Sequence, residues 1–547
     1  MKTNVSLCIA AALMVAACGD PSHRHNSGEK VSVINSEPDE VIEEDVEIIS
    51  DEAALMEPLA NATSKMILSS PPPPQQRNAE TYKEIKENSF VAVAQQPVTT
   101  FSADVDRAAY ANVRRIIGYG QIPPKDAVRI EEMVNYFDYD YPAPEEGSVS
   151  PLRVSPELAP APWNPNHLLL RIGLQAKKID LAKAPPSNIV FLIDVSGSMD
   201  EDNKLPLLKS SFKMLLGQLR PDDKIAIVTY ANGTKVALPS TSVKDKEKII
   251  KVLDNLYASG GTSGGRGIQL AYEQAQKSFI KNGNNRIILA TDGDFNIGIN
   301  NTTDLEKFIE KQRESGIYMS VLGFGMGNYR DDMAETIADK GNGNYAYIDN
   351  ITEAKKVLVN ELSGTLFAVA KDVKLQLEFN PKYVKEYKLI GYENRMLANE
   401  DFTNDKKDAG EIGAGHTVTA LYELVPSDGK VAQSLRYQSQ ELNEKGKGNE
   451  LGFLKIRYKD PKVKDAKSVE ITEPLVFNKK ALKETSTDYR FAASVAEFGI
   501  LLRDNSNKAN ATYDQVIELA EGAIGKDPEG YRKEFVRLVK SVKMLPK

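Results

Sequence analysis

The feature that most constrains this chain is a short apolar run that stops at a fixed array of oxygen side chains. Asn188-Ile189-Val190-Phe191-Leu192-Ile193 is a nearly continuous series of strand formers. Such a run suits a parallel strand buried on both faces, because a strand with one wet face would alternate. It ends in Asp194-Val195-Ser196-Gly197-Ser198. Leu205, Leu208, Phe212, Leu215, Leu216 and Leu219 then recur at helical spacing. A second apolar run covers Ile225 to Val228, and Lys246 to Leu256 reads as a helix with Asp245 as its N-cap. Gly267 to Phe279 reads as another helix. Arg286 to Ala290 is a further buried strand, ending at Thr291-Asp292-Gly293. Leu305 to Arg313 is helical, and Tyr318 to Leu322 is a strand. This alternation predicts a doubly wound α/β domain over residues 186–366.

Ligands of such a sheet bind beyond the carboxyl ends of its strands. Three loops at that edge carry oxygen donors: Asp194, Ser196 and Ser198 on the first, Thr262 after Gly260-Gly261 on the second, and Asp292 on the third. Five oxygen side chains without His or Cys suit a hard cation, Mg²⁺ first, with Mn²⁺ or Ca²⁺ as alternatives. The set resembles the metal-ion-dependent adhesion site of von Willebrand A-type and integrin inserted domains. That resemblance implies direct ligation by Ser196 and Ser198, by Thr262 either directly or through water, and a largely water-mediated role for Asp194 and Asp292. It also implies a coordination position left for an acidic residue of a protein partner. Asp200, Glu201 and Asp202 follow closely. They read as acids in the first turn of a helix, complementing its dipole; integrin β-chains hold a second cation at a similar spacing.

The flanks are also patterned. Thr100-Phe101-Ser102-Ala103-Asp104-Val105-Asp106, Tyr110 to Arg115, Arg129 to Phe137, Gly391-Tyr392-Glu393-Asn394-Arg395 and Asp408 to His416 resemble the N- and C-terminal regions of bacterial YfbK-like proteins. The resemblance covers about residues 80–547 and departs from the family at Ala103 to Arg107. It divides the chain into an N-terminal region, 79–185, the A-type domain, 186–366, and a C-terminal domain, 367–547. Leu168 to Leu174, Val373 to Phe379, Thr417 to Leu424, Phe453 to Tyr458 and Val469 to Thr472 read as strands on both sides of the central domain. Half-buried strands need a sheet partner. The expectation is therefore one β-sandwich with the A-type domain inserted in it. Flanking helices are expected over about 104–117 and 126–137, and a closing layer over 488–502, 512–523 and 531–542. His416 reads as a hydrogen-bonded turn histidine, Asp104 and Asp106 as helix caps, Trp163 as a cover for the sandwich edge, and Tyr345 and Tyr347 as packed side chains on one face of a strand.

The first residues read as an address. Lys2 precedes an apolar run, Val5 to Val15, too short to span a bilayer. Val15-Ala16-Ala17-Cys18 resembles a bacterial lipobox, implying a signal peptide over 1–17 and acylation of Cys18. Residues 18–78 form an expected acidic and proline-rich tether, with ten acidic residues and no Lys or Arg between Glu37 and Glu57. That block accounts for the net charge of −8. The rest is close to neutral and argues against nucleic-acid binding. Cys8 and Cys18 are the only cysteines, so the body has no disulfide and no thiolate metal site. The expected location is the cell envelope, on a lipid anchor outside the cytoplasm, and by resemblance to enterobacterial sorting the outer membrane, since Gly19 rather than Asp follows Cys18. The expected function is divalent-cation-dependent protein binding, with no catalytic residues. A metal-independent envelope scaffold and a metal-assisted hydrolase are the alternatives. The oligomeric state is left open.

Overall fold

The apolar run at the start of the central domain is buried on both sides in the computed structural model. Ile189, Phe191 and Ile193 enter one apolar cluster, and Val190 and Leu192 enter another. The structure describes residues 80–103, 106–261, 264–293, 302–327, 329–428, 448–463, 466–504 and 508–546. The expected signal, tether and lipid site (Cys18), with Asp104 and Thr262, lie outside the described residues.

The strand Ser187–Asp194 sits inside a six-stranded sheet. The order is Tyr345–Ile348, Ile317–Phe324, Asn284–Thr291, Ser187–Asp194, Lys224–Tyr230 and Thr234–Ser242. The first five are parallel and the last is an antiparallel edge. Leu205–Gln218 and Lys246–Asp254 cover one face, where Leu208, Phe212, Ile249 and Leu253 are buried. Gly264–Lys277, Thr302–Arg313 and Asp331–Lys340 cover the other, with Ile268, Leu305 and Ile337 buried. This is the doubly wound arrangement expected from the alternating pattern.

The rest of the body is a sandwich. One sheet runs Val91–Ala92, Val384–Ile390, Thr417–Pro426, Asn164–Ala176 and Leu152–Ala161. The other runs Gly410–Gly413, Ala368–Phe379, Glu450–Lys459 and Val469–Val476, and Val98–Ser102 also pairs with Ala368–Phe379. Period-two patterning sorts the side chains. Leu168, Leu170, Ile172 and Leu174 share a core with Val373, Leu375, Leu377 and Phe379 of the facing sheet. Leu169 points the other way, into a helical layer built from Ala108–Gly118, Ile130–Asn135, Thr487–Leu502, Tyr513–Glu521 and Tyr531–Met544. The chain leaves the sandwich after Asn164–Ala176 in one sheet and re-enters at Ala368–Phe379 in the other. The α/β domain is therefore an insertion between the two sheets' strands.

Several local expectations differ from the structure. The helix starts at Lys246 with Asp245 in the N-cap position, as expected, but the Asp245 side chain makes no capping hydrogen bond; Ser242 caps the preceding 3₁₀ turn, Val243–Asp245. Asp200, Glu201 and Asp202 are not in the first turn of an α-helix. A 3₁₀ turn occupies Gly197–Asp200 and the helix starts at Leu205, where Pro206 fits the first turn. Asp106 is not a cap either: Oδ1 accepts from the Tyr345 amide at 3.1 Å and Oδ2 from Arg395 at 2.7 Å. Trp163 lies buried between sheet and helical layer rather than on an edge, and donates from Nε1 to Glu423 at 3.0 Å. His416 is buried with neither ring nitrogen hydrogen-bonded, its ring packed where Gly364 has no side chain. Burial, with Arg107 beside it, depresses its pKa to about 4. Tyr345 and Tyr347 are buried packing residues, as expected.

Candidate metal centre

The candidate site begins where the central strand ends. Asp194 is its last residue and is fully buried. Oδ1 accepts from the Ser196 amide at 2.8 Å, which folds the chain back into a tight turn. The turn places the Ser196 and Ser198 hydroxyls 3.1 Å apart, Ser196 buried and Ser198 exposed. The loop is laced to its neighbour through backbone contacts. Gly197 donates to the Gly260 carbonyl at 2.8 Å, and Ser259 donates to the Val195 carbonyl at 2.8 Å. Gly260 has φ +78°, and a Cβ there would strike the Asn232 side chain. Asn232 in turn accepts from the Gly261 amide at 2.5 Å. Glycine is therefore required at 260 both for its backbone conformation and for this close approach.

Asp292 follows the adjacent parallel strand, Asn284–Thr291, and is also buried. The structure thus brings together Asp194, Ser196, Ser198 and Asp292 at one sheet edge, with Gly260 and Gly261 beside them.

The donor chemistry fits a hard cation. Asp194 Oδ2 is buried with no donor at good hydrogen-bond geometry, and the Tyr230 hydroxyl is the polar group that lies beside it. A buried carboxylate oxygen without a partner is costly unless something positive or protic meets it. Burial, reinforced by the neighbouring Asp292 charge, raises the Asp194 pKa to about 7 against the opposing pull of the Ser196 hydrogen bonds. Among the described residues no three carboxylate, imidazole or thiol groups converge. The set here is two carboxylates and two hydroxyls, the oxygen-only chemistry that hard divalent ions take.

Two residues of this edge escaped the sequence reading. Asn232 ties the second loop in place, as described above. Lys204 places its ammonium 3.3 Å from Asp292 Oδ2, 2.9 Å from the Ser198 carbonyl and 3.2 Å from Glu201 Oε1. Nothing local in Asn203-Lys204-Leu205 separates this lysine from a solvated one. A cavity of about 320 Å³ opens beside the site, between Val195, Asn232, Asn255, Tyr257 and Ser259.

Three family models match this chain. Residues 188–360 match the von Willebrand factor type A domain, 76–171 a model described as von Willebrand factor, and 364–545 one described as the C-terminal part of uncharacterized protein YfbK. The Escherichia coli K12 protein YfbK is 48% identical over 465 residues, covering 84% of this chain and 80% of that protein. An uncharacterized protein of Synechocystis is 26% identical, covering 60% of this chain and 74% of that one. A solved von Willebrand factor type A protein from Catenulispora acidiphila covers 71% of this chain and 89% of its own, with 16% identity and a TM-score of 0.40. The chain belongs to the YfbK family, with a von Willebrand factor type A domain carried on a YfbK-type body.

Proposed function

We propose that this protein is a membrane-anchored module that binds a protein partner through a divalent cation held at the edge of its inserted sheet. The observation that carries the reading is the unpartnered, buried Oδ2 of Asp194, set beside Asp292 and the paired Ser196 and Ser198 hydroxyls. Mg²⁺ or Mn²⁺ would be held by Ser196 and Ser198, with Thr262, Asp194 and Asp292 directly or through water, and would supply a Lewis-acidic position for a carboxylate from the partner. Ser198 is exposed, so the partner can reach the centre without the fold opening. Membership of the von Willebrand A-type class supports a binding role, since such domains commonly mediate metal-dependent protein interaction.

Titration of the full chain with MnCl₂ tests the centre. Saturable one-site binding that Asp194→Ala removes is expected, and equal heats in both proteins would reject it. Partner capture from crosslinked envelopes should then need Mg²⁺ or Mn²⁺ and fail in EDTA. The anchoring half rests on Cys18 and its two small neighbours. Cys18→Ser should move the protein out of the membrane fraction, and sucrose-gradient separation of the wild type should place it with the outer membrane.

A second reading, a metal-independent envelope scaffold, draws support from Lys204. Its ammonium already compensates Asp292, and under that reading partner capture would survive chelation.

A further inference from the structure

We propose that Lys204 is a resident cation of the metal centre, lowering its affinity for the divalent ion and removing the net negative charge that the loaded centre would otherwise turn toward an anionic partner group. This rests on the metal-centre reading above. Three observations carry it. The ammonium meets three oxygens, Asp292 Oδ2, the Ser198 carbonyl and Glu201 Oε1, one for each of its N–H donors. Its side chain is buried although lysine is rarely so. Its stem lies in a slot built for it: a Cβ on Gly325, at φ +76°, would strike the lysine's Cγ, Cδ and Cε. The Tyr347 hydroxyl donates to the Gly325 carbonyl and pins that loop. The ammonium is therefore fixed, not a surface charge that happens to fall there.

The consequence is electrostatic. A fixed positive charge on Asp292 uses the same carboxylate that a divalent ion needs, and repels that ion across a few ångströms of low-dielectric protein. In the metal-free protein it offsets one of two neighbouring buried carboxylates, so the edge keeps its shape. Counted over Asp194, Asp292, Glu201, Lys204 and a divalent ion, the loaded centre is neutral; without the lysine it would carry one net negative charge. An acidic side chain then meets no net repulsion at the loaded centre and is repelled from an empty one that lacks the ion.

The test measures Mn²⁺ and Mg²⁺ affinity of the full chain by calorimetry, together with the thermal shift each ion produces. Wild type, Lys204→Met, Lys204→Gln and Lys204→Arg are compared; Gln retains a hydrogen bond to the Ser198 carbonyl should Met fold poorly. Met and Gln are expected to bind Mn²⁺ on the order of tenfold more tightly and to gain more in melting temperature from the ion. Arg is expected to stay near the wild type. Acetate, used as a minimal carboxylate probe on the Mn²⁺-loaded proteins, should bind more weakly to Met and Gln. Binding by Met alone would support the proposal in its strongest form. Equal Mn²⁺ affinity in wild type, Met and Gln would overturn the proposal and leave the metal centre standing. No binding by any of the four would overturn the metal centre and this proposal with it.

Discussion

Two regions of the molecule bury carboxylates, and they treat them in opposite ways. At the junction between the inserted domain and the YfbK-type body most of the ion-paired acids share an arginine. Arg129 is buried between Glu132 and Asp331, bonding Asp331 at 2.5 Å. Arg114 reaches Asp349, Glu353 and Glu534, and Arg395 reaches Asp106, Glu335 and Asp339. At the edge of the sheet Asp194 is just as buried, yet one of its oxygens has no partner. The pKa directions are mixed at the junction, where burial outweighs the arginines at Glu132 and Glu353 and raises both. Burial pushes Glu335 up, but Arg129 and Arg395 more than reverse it, so it ends below the usual carboxylate range. Burial pushes Asp194 up and nothing reverses it. Burial of an acid is thus no sign of a binding site. A buried acid that the chain itself leaves uncompensated is the informative case.

The sharpest way to break the comparison is at the junction. Arg129→Met strands Glu132 and Asp331 in the interior and should cost about 3–5 kcal/mol in urea unfolding. A loss under about 1 kcal/mol would show the junction to be no better compensated than the edge. Next in size is Asp194→Asn. It should weaken Mn²⁺ binding by about 10–100-fold, as expected for a group that acts through the metal's outer contacts. Metal-free stability should stay within about 1 kcal/mol, because no ion pair is broken. A large metal-free loss would place Asp194 among the structural acids.

Glu497 offers a third case, an acid uncompensated like Asp194 but away from any other carboxylate. One oxygen accepts from the Thr512 amide at 3.4 Å and the other has no partner. Burial raises its pKa from 4.5 to about 8. The folded protein therefore keeps a proton that the unfolded chain has released, so stability should fall as pH rises from 4.5 to about 8, with a slope of up to about 1.4 kcal/mol per pH unit from this group. Glu497→Gln should flatten that part of the curve, and unchanged slope in the variant would remove Glu497 from this class. The smallest effect is expected at Asn350, whose side chain caps the helix that carries Glu353 by accepting from the Thr352 and Glu353 amides at 2.9 and 3.0 Å. Asn350→Ala should cost about 1 kcal/mol, read from the midpoint of the same urea unfolding.

Much of the fold was legible because period and run length are local properties. Ser187–Asp194 and Asn284–Thr291 read as buried parallel strands from their uninterrupted apolar runs, and Val373 to Phe379 read as half-buried from alternation. Leu168-Leu169-Leu170 was legible as a strand, but not as one serving two cores, since that needs a helical layer drawn both from helices before it and from helices more than 300 positions downstream. Capping bonds were the weak point: Asp245 holds the expected N-cap position but makes no side-chain bond there, and Ser242 caps the 3₁₀ turn before it. Asp106 and His416 were misread for a related reason: their surroundings come from Arg395, Tyr345 and Gly364, all distant in sequence.

The sequence by itself determined the kind of chemistry at the edge. It set Asp194, Ser196, Ser198 and Asp292 at the ends of adjacent strands, because strand patterns and the β–α alternation fix which loops share an edge. Only the tertiary structure decided the charge balance there. Whether a buried carboxylate is compensated depends on every charged group within a few ångströms, whatever its place in the chain. That is why the bare Oδ2 of Asp194 and the ammonium of Lys204 on Asp292 could not be read from spacing alone.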